Sequence, residues 1–162
     1  MKPQRQGQQW QGLNDLIQTL PNNLIGVEIG SYAGESAEMF MQSGKFTKLY
    51  CIDPWLHVEY AKEAEQAFDK RINGLKVVKL KGTIKDFIDR LPPVDFAYID
   101  GEHEYNSVKT DIIQMLKVVN KGGIIAGHDY APKYNDHVVK AVLNVLGLPD
   151  RVFCDSSWVV KI

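Results

Sequence analysis

Short apolar runs of β character alternate with amphipathic helical patterns along almost the whole chain, and that alternation restricts the fold more than any other feature. Strand-like runs fall at 25–29, 48–52, 76–80, 96–100, 123–126, 151–154 and 158–162. Several of them, such as GVEIG, FAYID and GIIAG, are apolar throughout rather than alternating. Strands covered on both faces of a parallel sheet have that pattern. Helical patterns lie between them at 13–20, 34–42, 60–72, 84–91, 105–119 and 138–146. The clearest is 105–119, where Val108, Ile112, Met115, Leu116 and Val119 share a face and Lys109, Asp111 and Lys117 lie elsewhere. Gly122-Gly123 is expected to end that helix, as Gly147 and Pro149 end the one at 138–146. Thr83 is placed to cap 84–91, which Pro92-Pro93 stops.

Strand, helix, strand in repetition means parallel strands joined by right-handed crossovers, with helices on both faces of one sheet. The last two runs stand too close for a helix between them and predict an antiparallel hairpin. The expected fold is therefore α/β: one doubly wound domain with a mostly parallel seven-stranded sheet and an antiparallel C-terminal hairpin. Residues 1–23 form a tail and short helix, and 24–162 form the domain.

Composition agrees. A chain of 162 residues suits one domain, and 44% hydrophobic with 24% charged residues excludes disorder for the bulk of it. Nineteen basic and twenty acidic residues, net charge -1, give no electrostatic footprint for nucleic acid. Cys51 and Cys154 lack metal-binding spacing and read as two buried, reduced thiols. The opening MKPQRQGQQW lacks the apolar core of a secretory signal. No apolar run approaches the roughly 18 residues of a membrane helix. The expectation is a cytoplasmic protein with no membrane partner.

Ligands of open α/β sheets bind beyond the carboxyl ends of the strands, so the chemistry is to be sought there. After the first run comes Glu28-Ile29-Gly30-Ser31-Tyr32-Ala33-Gly34, a GxxxG turn leading into a helix. A pyrophosphate site would show GxGxxG instead, and Glu28 suits a cationic or hydroxyl-rich ligand. After the second comes Asp53-Pro54-Trp55: a carboxylate for ribose hydroxyls or a helix cap, and an indole for an adenine face or for packing. Gly82-Thr83 follows the third, facing a base or capping a helix. Asp100 to Tyr105 follow the fourth and Gly127-His128-Asp129-Tyr130 the fifth. Asp100, His128 and Asp129 make a constellation for a divalent metal or for acid/base chemistry.

These residues resemble the class I S-adenosylmethionine-dependent methyltransferases, from about residue 24 onward. EIGSYAGES is similar to that family's first motif, CIDPW to its ribose-binding motif, and the final hairpin to its reversed seventh strand. VDFAYIDGEHEYNSVKTDI with NKGGIIAGHDY resembles a small O-methyltransferase-like branch that includes macrolide-sugar and aminocoumarin methyltransferases. The resemblance implies S-adenosylmethionine as cofactor. Gly30, Ser31 and Gly34 would surround its methionine part with Glu28 beneath. Asp53 would bind the ribose, Trp55 would flank the adenine with Thr83 near the base, and Asp100 would close the cofactor site. Metal-dependent members bind magnesium at the positions of Asp100 and Asp129, with a second carboxylate where His128 stands here. His128 or His103 is then the general base. The acceptor would be a small hydroxylated molecule, and many relatives are homo-oligomers. Two rivals are a nicotinamide oxidoreductase, opposed by the GxxxG turn and hairpin, and a non-catalytic protein that retains the fold.

Overall fold

The structure, a computed structural model, describes residues 10–56, 59–133 and 136–162. The chain runs α1 (Gln11–Thr19), β1 (Leu24–Ile29), α2 (Glu35–Gln42), β2 (Phe46–Asp53), α3 (Ala61–Ile72), β3 (Val77–Lys81) and α4 (Ile84–Phe87). It continues through β4 (Val94–Ile99), α5 (Tyr105–Val118), β5 (Val119–Gly127), α6 (Asp136–Val145), β6 (Arg151–Val152) and β7 (Trp158–Lys161). The strands form one sheet in the order β3-β2-β1-β4-β5-β7-β6. β1 to β5 pair in parallel, and β7 is antiparallel to both β5 and β6. The predicted fold class is the observed one.

Period-two alternation sends the side chains of each strand into two separate cores. Phe96 and Tyr98 of β4 enter the layer beneath α1, α2 and α3, where Phe40 meets Phe46, Phe96 and Tyr98 at ring-centroid distances of 5.2–5.3 Å. Ala97 and Ile99 of the same strand enter the other layer, with Ile84, Ile112, Met115, Val138 and Val142 of α4, α5 and α6. A strand apolar at every position is the consequence, which is why FAYID and GIIAG carry no alternation.

Local differences from the sequence reading have physical causes. Gly122-Gly123 does not end α5: the helix closes at Val118, the Val119 N–H bonding to Met115 O, and the chain passes directly into β5. The glycines instead sit within β5, beside a register shift opposite Val94 and Phe96. Gly122 has φ +83, and a Cβ on Gly123 would lie 2.9 Å from Asp95 O. Both exchange hydrogen bonds with Ile162, at 2.7 and 2.9 Å. Pairing with β4 and β7 thus outweighs the local stop signal. The pattern at 84–91 divides into α4 and a 3-10 turn at Ile88–Arg90. Leu116, expected on the inner face of α5, is 38% exposed. Cys51 is buried as expected, but Cys154 is exposed on the turn between β6 and β7. The first nine residues of the expected N-terminal tail lie outside the described residues. Among the described residues no helix is long and apolar enough to cross a membrane.

The β6–β7 turn also anchors α1. Trp10 at the N-cap supplies no side-chain cap. Asp155 takes that role across 142 positions, accepting the Leu13 N–H at 2.8 Å and, through its other oxygen, the Ser157 N–H at 2.9 Å. Gly12 leaves it room, since a Cβ there would lie 1.9 Å from Asp155 Oδ1. Asp155→Ala is expected to cost about 1–2 kcal/mol of stability, the value of an N-cap. Thermal denaturation measures that loss, and amide exchange should show α1 opening before the sheet.

Candidate active site

Three strand tips meet at one end of the sheet. Gly30, at φ +89, follows β1 so closely against β4 that a Cβ would lie 2.2 Å from Asp100 O. No other residue fits that contact. Gly30 N bonds to Ile52 O at 2.9 Å and Asp100 N to Ile29 O at 2.8 Å, so the tips of β1, β2 and β4 are tied together. Gly127 at the end of β5 is constrained likewise: a Cβ would lie 2.5 Å from Ile99 O and 2.7 Å from the Trp158 ring. Gly34, at φ +85, begins α2.

On this base the expected cofactor residues take their places. Glu28 is fully buried under the turn, and Ser31 is 2% exposed. Burial raises the Glu28 pKa to about 7, with Asp100's charge adding and hydrogen bonds from Ser36 and Cys51 opposing. Asp53 accepts the Tyr32 N–H at 2.9 Å on Oδ2 and the Trp55 N–H at 2.7 Å on Oδ1. Each oxygen keeps a lone pair, enough for two ribose hydroxyls. Burial raises its pKa against those two bonds. No helix starts at Asp53, so capping is not its role.

Trp55 is 3% exposed; its ring lies 5.0 Å from Phe68, its Nε1 donates to Tyr32 O at 2.7 Å, and Lys79 Nζ sits 4.9 Å from the ring centroid. Its indole is packed rather than open. Thr83 forms a capping box with Asp86, whose Oδ2 accepts from the Thr83 N–H and hydroxyl at 2.7 and 2.8 Å. Of the two roles open to Thr83, the structure displays the cap.

The tips of β4 and β5 carry the ionisable cluster. His103 Nε2 lies 3.0 Å from Asp129 Oδ2 and 3.7 Å from Asp100 Oδ1, while His128 Nδ1 lies 3.1 Å from the same Asp129 oxygen. One carboxylate oxygen therefore holds two imidazoles, the exposed His103 and the mostly covered His128. Asp129 stands at φ +61, a conformation costly for a side-chain-bearing residue and held here by its surroundings. Those surroundings include the His128 backbone, whose N–H bonds to Ile99 O and whose carbonyl accepts Trp158 Nε1, both at 3.1 Å.

The metal set differs from the expected one. The ligand atoms of Asp100, His103 and Asp129 lie within 4.8 Å of one another, so His103 rather than His128 joins the two carboxylates. An imidazole is a poor ligand for a hard, oxygen-preferring ion. The Nε2 that faces Asp129 is moreover placed as a hydrogen-bond donor to it. The residues do not fit magnesium, and no step below passes through it.

Asp111 of α5, expected away from the apolar face, lies three residues from Val108 and four from Met115, at the edge of the buried stripe. Burial, with Glu102's charge adding and Lys85 opposing, raises it to about 7. Its Oδ2 lies 3.9 Å from where a Gly101 Cβ would stand, directly under the β4–α5 turn. The folded protein thus binds Asp111's proton more tightly than the unfolded chain does. Stability contributed by this group is lost as pH rises from about 4 to about 7, and stays lost above. Asp111→Asn is expected to exceed the unmodified protein in stability by on the order of 1–2 kcal/mol at pH 8 and to lose that advantage at pH 4. Melting temperatures across this range measure it; equal slopes for the two proteins would disprove it.

Comparison with known proteins follows this geometry. A family model described as a methyltransferase domain matches residues 27–130, from β1 through the His128-Asp129 tip. An uncharacterized protein of Acanthamoeba polyphaga mimivirus is 32% identical over 133 residues, 77% of this chain and 60% of that protein. The chain therefore matches less than two thirds of that relative's length. Among solved structures, precorrin-8w decarboxylase of Methanobacterium thermoautotrophicum superposes with a TM-score of 0.69 at 15% identity, covering 99% of this chain and 88% of that one. The tomaymycin O-methyltransferase of Streptomyces achromogenes, solved in complex with SAM, gives 0.68 at 14%, covering 100% and 82%. An rRNA methylase of Streptococcus thermophilus gives 0.64 at 19%, covering 92% of each chain. At these identities the structures establish a shared fold, and the sequence match establishes kinship: the chain belongs to the methyltransferase-domain family.

Proposed function

We propose that this protein transfers a methyl group from S-adenosylmethionine to a hydroxyl of a small-molecule acceptor, with His103 as the general base. The carrying observation is the His103 Nε2–Asp129 Oδ2 contact of 3.0 Å at the tip beside Asp100. A neutral imidazole donating through Nε2 holds its lone pair on Nδ1, the atom that takes a proton. Asp129 fixes that tautomer and favours the imidazolium that forms, and His128, bonded to the same oxygen, holds Asp129 in place. His128, the other candidate base, is then a positioning residue.

When bound, S-adenosylmethionine supplies an electrophilic methyl on a sulfonium. Around it Gly30, Ser31 and Gly34 shape the turn, and Asp53 takes the ribose hydroxyls on its remaining lone pairs. Trp55, packed on Phe68, and Thr83, capping α4, would lie behind the adenine end of the site rather than stack on the base, and Asp100 would close it. His103 removes the acceptor's proton as its oxygen attacks in line with the carbon–sulfur bond. Two facts favour a small acceptor of the macrolide-sugar or aminocoumarin kind over a nucleic acid. The chain's net charge is -1, and two carboxylates stand where a polyphosphate would have to approach.

Calorimetry should show binding of S-adenosylmethionine and of its demethylated product, and labelled cofactor should methylate members of a hydroxylated acceptor pool. His103→Ala is expected to lower kcat by about 10²–10⁴-fold, and Asp129→Ala, which acts through His103, to lower it by no more than that, each with cofactor affinity nearly intact. Turnover should survive a chelator. Failure to bind either form of the cofactor would overturn the proposal.

A further inference from the structure

Beneath the glycine turn lies a sealed polar pocket that the transfer step leaves unused. Glu28 is 0% exposed. Ser36 of α2 donates to its Oε1, and Cys51 Sγ of β2 lies 3.5 Å from its Oε2. The Ser31 hydroxyl of the turn is buried beside it with no hydrogen-bond partner, and the Asp100 carboxylate at the β4 tip acts on it through space. Tyr98 stands opposite it in the β1–β4 register. These groups facing Glu28 from α2, β2, the turn and β4 are two hydroxyls, a thiol, a phenol and a carboxylate. Burial holds the Cys51 thiol well above its ordinary value, so that group stays protonated. No cation is among them. A buried carboxylate with neutral donors and a negative neighbour ionises at a cost that an arriving positive charge can offset.

We propose that Glu28 makes the site select the charged sulfonium cofactor over its neutral thioether product, by releasing a proton when the sulfonium binds. This rests on the cofactor reading above and specifies what one residue adds to it. The two ligands share adenine, ribose, ammonium and carboxylate groups. They differ by one methyl and one positive charge, so any difference in their linkage to pH reports that charge. Glu28 stands two residues before Gly30, under the turn assigned to the methionine part. In the ligand-free protein at neutral pH its carboxyl is divided between protonated and ionised forms. A sulfonium above the turn favours the carboxylate, and the proton leaves to solvent. The thioether has no charge to favour it. The sign follows: raising the pH ionises Glu28 and strengthens sulfonium binding relative to product, and lowering it erases the preference.

The test is calorimetric titration of the whole chain with S-adenosylmethionine and with S-adenosylhomocysteine between about pH 5.5 and pH 8.5. The ratio of the product's Kd to the cofactor's is expected to rise about tenfold across that range, the effect of one partly screened charge pair. Near pH 7, titrations in two buffers of different ionisation enthalpy should show more proton released by the cofactor than by the product. Glu28→Gln keeps the shape and removes the titration, so its ratio should be flat with pH. Equal proton release by both ligands, or a pH-dependent ratio that survives in Glu28→Gln, overturns the proposal while leaving the cofactor reading standing. Binding of neither ligand overturns both. The proton count on the unmodified protein decides the matter even where the variant does not fold.

Discussion

Backbone touching backbone at the strand tips is the constraint on which the site depends. Gly30 stands against the Asp100 carbonyl and Gly127 against the Ile99 carbonyl, each so near that a single added carbon would collide. Those two contacts bring β1, β4 and β5 to one level, and the residues that follow each strand then share one hollow. Asp100 and His103 come from the β4–α5 turn and Asp129 from the tip of β5, with all of α5 between them in the chain, yet their ligand atoms stand within 4.8 Å of one another. The glycines that looked like ligand-binding features are thus first requirements of the sheet, and the ligand site follows from them.

Much of this was legible from residue order. Uninterrupted apolar strands announced a sheet covered on both faces, and the absence of room for a helix before the final run announced its reversal. Acidic residues at the ends of strands two, four and five fall together at one end of the sheet, as their positions in the chain predict. What escaped reading was side-chain partnership. Trp55 could equally stack on a ligand or on Phe68, and only packing distinguishes the two. His128 adjoins Asp129 and touches the same oxygen, yet the imidazole atom that lies near both carboxylates is that of His103. Gly122-Gly123 carries the same local signal whether it ends a helix or eases a strand past a register shift. Long-range pairing made that choice.

Two carboxyls, Glu28 and Asp111, are pushed up to about 7 by burial on opposite faces of the sheet, one beneath the β1 turn and the other beneath the β4 turn. Each lies under a loop that borders the hollow. Buried acids whose pKa is raised detract from stability at neutral pH, and a positive charge arriving nearby offsets that cost.

The position of β7 has a consequence for how the chain reaches this state. It follows the other six strands in order, yet it lies inside the sheet between β5 and β6, and its Trp158 holds the His128 carbonyl. Until it arrives, β5 presents an unguarded apolar border to its surroundings. A nascent or thermally loosened molecule lacking that wedge would offer GIIAG as a template for a neighbour's strand. Seating β7 therefore both completes the histidine-bearing tip and covers the β5 border.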